Sequence, residues 1–169
     1  MTREEFIRVL DKKGYSYEIV EDKIIVTHKG HVWLEFLSSL PPGVEFKNGG
    51  IVVLDSIKTI SHGVVFKNGD GVSLLKIETL LPGVEFNNGG GVNLRSLEAL
   101  PPGVEFNNVG FVDLESLQTL PPGVEFKNRG PVNLESLQTL PLGVEFNNVG
   151  DVKLVSLIGG YLHKWNGNI

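Results

Sequence analysis

Apolar residues in this chain alternate with polar ones in short bursts, and the bursts return on a fixed period. Val104-x-Phe106-x-Asn108 alternates, and so does Val112-x-Leu114-x-Ser116. A period of two predicts short strands with one face turned inward, not helices. Between the two bursts lies "NNVGF", which is too short for a helix and rich in turn formers. After the second burst Leu117 and Leu120 return at i,i+3 spacing, and the prolines Pro101 and Pro102, Pro121 and Pro122 block any helix there. Each unit therefore reads as strand, tight turn, strand and an apolar corner of irregular or 3₁₀ form.

The units recur every twenty residues without an insertion. Gly43, Gly63, Gly83, Gly103, Gly123 and Gly143 open them, and Phe46, Phe66, Phe86, Phe106, Phe126 and Phe146 follow at a constant offset. A fixed period of this size is the signature of a solenoid, in which each turn buries its apolar face only against its neighbours. In-register stacking predicts parallel sheets, and the crossover preference predicts a right-handed coil. The fold expected is a mainly β, right-handed β-solenoid of about seven turns.

A column of amides, Asn48, Asn68, Asn88, Asn108, Asn128 and Asn148, marks the turn after the first strand. A buried turn strands backbone polar groups, so the column reads as a structural ladder that satisfies them and bonds the Asn above and below. Ser56, Ser96, Ser116, Ser136 and Ser156 suggest the same device at the second corner. A degraded turn precedes the regular ones, with Ile24, Val26, Val32, Leu34, Leu37 and Leu40 on core positions and His28 in the Asn column.

The ends differ from the repeats. Thr2 with Glu5 forms a capping box for a helix reaching about Lys13, stopped by Gly14, and "YSYEIV" and "KIIV" flank Glu21-Asp22 as a hairpin. Residues 1–22 are thus an α/β cap over an edge that would otherwise invite aggregation. Residues 23–158 are the solenoid. Residues 159–169, with Tyr161, Leu162 and Trp165, are expected to cover its last turn.

The units resemble the leucine-rich-repeat-like twenty-residue arrays of uncharacterised phage and bacterial proteins, down to the closing "SLIGGYLHKWNGNI". That resemblance implies a repeat scaffold and transfers no catalytic residue or ligand. One departure is plain: Phe106 stands two residues before Asn108, whereas leucine-rich repeats space the last strand leucine three before the Asn. Strict alternation into the turn is closer to a β-helix.

Composition narrows the function. A net charge of −5 disfavours direct binding to nucleic acid, and zero cysteines exclude disulfides, thiolate metal sites and a cysteine nucleophile. The charged start lacks the apolar stretch of a secretory signal, and no apolar run approaches the ~20 residues of a membrane helix. A cytoplasmic protein without membrane contact is expected. His28, His31, His62 and His163 show no metal spacing, and Gly89 to Gly91 lack the Lys-Ser/Thr of a phosphate loop. Asp55, Asp70, Asp113 and Asp151 fall on different positions of the unit, so no paired acids are built. The expectation is no enzyme, no metal and no cofactor. Ice binding fails too, because the Thr59, Thr79, Thr119, Thr139 column is single and broken by Ala99.

Two surfaces remain. Glu45, Glu85, Glu105, Glu125 and Glu145 share an outward column, broken by Val65, and stacking would set their carboxylates ~4.8 Å apart. Like charges opposite one another cost stability. The column is either sheet protection, eased by Lys47, Lys67 and Lys127, or an acidic strip that mimics nucleic acid, binds a basic partner or collects divalent cations weakly. Outward positions around the second strand vary instead, running Ile51, Gly71, Gly91, Phe111, Pro131, Asp151 and Val53, Ser73, Asn93, Asp113, Asn133, Lys153. Repeat scaffolds bind through such diversified positions, although drift at unconstrained sites gives the same pattern; on the binding reading Val109, Phe111, Arg129, Pro131 and Val149 are the candidate partner-binding residues. A protein-binding scaffold is the leading expectation, with the acidic structural or mimic protein second.

Overall fold

The computed structural model describes residues 1–155 of the 169. Strands from successive repeats stack in parallel and in register. Lys23–Val26, Val44–Phe46, Val65–Phe66, Glu85–Phe86, Glu105–Phe106, Glu125–Phe126 and Glu145–Phe146 build a first sheet. A second, seven-stranded sheet runs from Val32–Trp33 to Val152–Lys153. The partners are twenty residues apart, as in Phe86 with Phe106 and Val92 with Val112. These seven rungs bound about six complete turns of a β-solenoid.

The core is the expected one. Val104, Phe106, Val112, Leu114, Leu117 and Leu120 are all buried, and so are their counterparts in the turns on either side except Leu140, which is 46% exposed. The phenylalanines form a continuous stack with ring centroids 5.2–5.4 Å apart and planes within 13° of parallel. That spacing slightly exceeds the ~4.8 Å rung, so each ring lies offset over the last, the arrangement aromatic faces prefer. At the turn into the first sheet the column Gly43 to Gly143 holds φ between 68° and 80°, which only glycine adopts without cost.

The coil has a third strand-forming side in its early turns. Thr59–Ile60 and Thr79–Leu80 pair as parallel strands, where a non-strand corner was expected. The ladder closes through Leu81 N–H donating to Ile60 O at 3.0 Å. Pro101, Pro121 and Pro141 hold the matching position in later turns and lack that N–H. There the pairing shrinks to an isolated bridge between Ala99 and Thr119.

The Asn column is inward, with Asn48 to Asn128 at most 1% exposed. Its hydrogen bonding differs from the expectation. Each amide donates to backbone carbonyls and none to a neighbouring Asn: Asn108 Nδ2 serves Gly110 O at 2.9 Å, Phe111 O at 3.2 Å and, one turn back, Gly90 O at 3.2 Å. The donors are consumed by the turn's own orphan carbonyls, and the Oδ1 atoms meet no donor. The serines do not repeat the device. Ser96 Oγ donates to Leu75 O at 2.6 Å but is exposed, and Ser56, Ser116 and Ser136 are half-buried.

The N-terminal cap follows the expected plan. Helix α1, Arg3–Lys13, starts at a Thr2–Glu5 capping box and ends at Gly14 with φ 70°. It plugs the first turn with Phe6 and Leu10, both fully buried. Strands β1, Tyr17–Val20, and β2, Lys23–Val26, form the hairpin, turning at Glu21 with φ 54°, and β1 covers the edge of the first sheet. His28 packs against Tyr15, ring centroids 4.9 Å apart. The expected C-terminal cover, residues 159–169 with Tyr161, Leu162 and Trp165, lies outside the described residues, as do Ser156 and His163.

Candidate functional site

In every strand of the second sheet the central valine points into the core, so the residues just before and after it face out. Stacking converts the sequence into a grid. Phe111 and Asp113 occupy one rung, Pro131 and Asn133 the next, Asp151 and Lys153 the third, in the register Asp113–Asn133–Lys153. These residues line a groove of about 500 Å³. The middle rung is its floor because Pro131 and Asn133 are shorter than the Phe and Lys that flank them.

Phe111 forms one wall and is 47% exposed. Its ring lies over Gly91 in the preceding turn, and a Cβ at that glycine would overlap Cε1 of the ring. The bare Gly91 backbone is what allows an aromatic side chain to lie down on an outward face. Asn133 Nδ2 donates to Asp113 Oδ1 at 3.0 Å, and the Glu115 amide donates to the same oxygen at 3.2 Å. Lys153 Nζ reaches back to Glu135 Oε2 at 2.6 Å. That hydrogen bond outweighs the cost of desolvation, and the charges of Glu135, Glu115 and Asp113 add to it, so the Lys153 ammonium is held above the ordinary lysine range. The neighbourhood of the groove is thus acidic despite its lysine.

Of the five candidate partner-binding residues, Phe111 and Pro131 line this groove. Val109, Arg129 and Val149 do not; they stack in the turn column two residues upstream, where Val109 N–H donates to Asn88 O and Arg129 N–H to Asn108 O. All three are exposed, Val149 by 83%. Asp113, Asn133, Asp151 and Lys153 line the groove without having been singled out as site residues. Their signal was visible in the two variable columns; what the sequence hid was which rungs leave space between them.

The acidic strip is less uniform than its spacing suggests. Glu85 pairs in register with Glu105, and Glu125 with Glu145. Glu45 is buried, clasped at Oε1 by Lys47 at 3.3 Å and Lys67 at 3.4 Å, so it offers no carboxylate to a partner. Burial pushes its carboxyl up, but the hydrogen bonds and charges of the two lysines outweigh that and hold it below the ordinary glutamate value. The remaining acids are laced by the neighbouring column. Asn87 donates to Glu85, Asn107 to Glu105, and Asn147 to both Glu125 and Glu145, while Lys127 Nζ lies 2.8 Å from Glu125 Oε2. Lys127 first, and Asn147 with it, lower the Glu125 carboxyl. Charge patterning along the chain points to the lysines alone, whereas the asparagines meet the carboxylates through strand alternation and stacking of the rungs.

Other exposed aromatics cluster near the cap. Trp33 and Phe36 are about half exposed, with Lys13 Nζ 4.9 Å from the Phe36 ring centroid. His31 accepts a hydrogen bond at Nδ1 from the Ile51 amide at 3.0 Å, a backbone-satisfying role. Among the described residues no three His, Cys, Asp or Glu side chains gather as a metal would require, and no helix is long and apolar enough to cross a membrane. No protein-family model, no curated protein and no solved structure matches the chain.

Proposed function

We propose that this protein is a non-enzymatic scaffold that binds a partner protein on the outer face of its second sheet, around Phe111 and Pro131. One observation carries the reading: the variable columns of an otherwise repeating frame converge on a groove with an aromatic wall. Phe111, Val109 and Val149 stand exposed on and beside the variable columns, and of these three only Phe111 lines the groove. An aromatic anchor beside a pocket is the usual make-up of a binding hot spot.

The Glu column, the second reading, is supported by in-register stacking of Glu85 with Glu105 and Glu125 with Glu145. It is weakened by the burial of Glu45 and by the asparagines that engage the other carboxylates. Affinity capture from the native host, followed by titration of each purified partner, separates the two. The scaffold reading expects Phe111→Ala to weaken binding by roughly thirty-fold, about 2 kcal/mol, at any salt concentration. A partner indifferent to that change, but lost when Glu85, Glu105, Glu125 and Glu145 become Gln and at raised ionic strength, assigns the function to the acidic strip.

A further inference from the structure

We propose that the groove beside Phe111 receives an arginine side chain of the bound partner; this rests on the protein-binding reading and names the chemistry its partner must present. The argument begins with the polar atoms that line the groove. Asn133 gives one of its two amide N–H bonds to Asp113, and Lys153 gives one of its three ammonium N–H bonds to Glu135. Among the described residues nothing donates to Asp113 Oδ2 or to either oxygen of Asp151. What the groove holds without a partner among the described residues includes charged acceptors, Asp113 Oδ2 and the Asp151 carboxylate.

No ion pair among the described residues neutralises Asp113 or Asp151. Asp113 belongs to the Asn133–Lys153 column and Asp151 to the Phe111–Pro131 column, so they stand two rungs apart and two residues offset along the strand, roughly 12 Å between backbones by strand geometry. Glu115 and Glu135 lie beside the same rungs, and their cations Arg95 and Lys153 only balance them. A ligand suited to this frame is positive, carries several donors that diverge in one plane, and has apolar faces for Phe111 and Pro131.

A guanidinium meets all three demands. It is planar, always charged, presents five N–H donors and is weakly enough hydrated to lie against an aromatic ring. An ammonium meets only the first, since its compact charge favours water over the Phe and Pro surfaces. The groove should accordingly prefer arginine to lysine, and a neutral isostere should fail.

The test uses the full-length protein and three pentapeptides, acetyl-Gly-Gly-X-Gly-Gly-amide with X as arginine, lysine or citrulline, in amide-detected NMR titrations. The arginine peptide should shift the amides of Phe111, Asp113, Val132, Asn133 and Val152, and bind more tightly than either counterpart. Asp113→Asn combined with Asp151→Asn should weaken it by roughly ten-fold or more, the loss of one charge-assisted contact. Lys153→Gln, which removes the competing cation and leaves the acids in place, should tighten it. Equal responses to arginine and citrulline, shifts confined to the Glu85–Glu145 column, or indifference to the Asp substitutions would each overturn the proposal. If Phe111→Ala abolishes capture of a natural partner while the arginine peptide leaves the groove amides unmoved, the scaffold reading stands and the arginine assignment alone falls.

Discussion

Asn108 shows how much one residue type does in this fold. Its Nδ2 ties three carbonyls from two turns, Gly110, Phe111 and Gly90, inside a fully buried corner. Asn108→Ala would leave those acceptors short of donors, and we expect a loss of about 1–3 kcal/mol in urea unfolding. Locked amides also resist chemistry. Asn48-Gly49, Asn68-Gly69 and Asn88-Gly89 should deamidate slowly in native protein and quickly once unfolded, which mass spectrometry can follow. Gly91 matters for a different reason. A methyl group there must displace the Phe111 ring, so Gly91→Ala should cost about 1–3 kcal/mol in the native background and clearly less in a Phe111→Ala background. Additive effects in that double-mutant cycle would show that the ring does not rest on Gly91.

The strand ladders add effects that single residues lack. Phe106 is stacked between Phe86 and Phe126, so Phe106→Ala removes two ring contacts and opens a cavity with little freedom to collapse. The expected cost is about 3–5 kcal/mol by calorimetry or denaturant. On the outer side of the same sheet, Glu45 with Lys47 and Lys67 gives a pH dependence of known sign. The folded-state pKa of Glu45 lies below its unfolded value, so its contribution to stability is present above the ordinary glutamate range and disappears as pH falls through the depressed value. Stability should therefore drop on acidification below about pH 4.3, and Glu45→Gln should flatten part of that slope. An unchanged slope in the Gln variant would assign the acid sensitivity elsewhere.

At the scale of the whole molecule, stability in a stack is a sum of turns and interfaces, and lesions need not spread. The helix α1 side chains Phe6 and Leu10 seal the first turn, so Leu10→Ala should loosen that end first. Hydrogen exchange should then accelerate around Val32 and Val52 while the amides of Val112 and Val132 keep their protection. Uniform acceleration along the coil would mean that the solenoid unfolds as one unit. The same linear design separates frame from surface. Inward columns are fixed by stacking identical side chains, and the outward positions of the second sheet can vary rung by rung without disturbing them.

The twenty-residue period, the alternation of Val104, Phe106 and Asn108, and the capping box at Thr2 determined the solenoid, its inward faces and its helical cap without help from coordinates. These are local or strictly periodic signals, and in-register stacking carries each of them directly into three dimensions. Other features depended on what a neighbouring turn offers. Ile60 and Leu81 pair because residue 81 has an N–H, whereas Pro101, Pro121 and Pro141 do not. Phe111 lies flat because Gly91 has no side chain, Glu45 is buried because two lysines fold over it, and Asn amides serve backbone carbonyls because those are the nearest orphan acceptors. The groove itself arises between rungs, from the difference in height between Phe111, Pro131 and Lys153. Such a difference exists only once residues twenty positions apart are set side by side, which is why the columns were legible in sequence and the space between them was not.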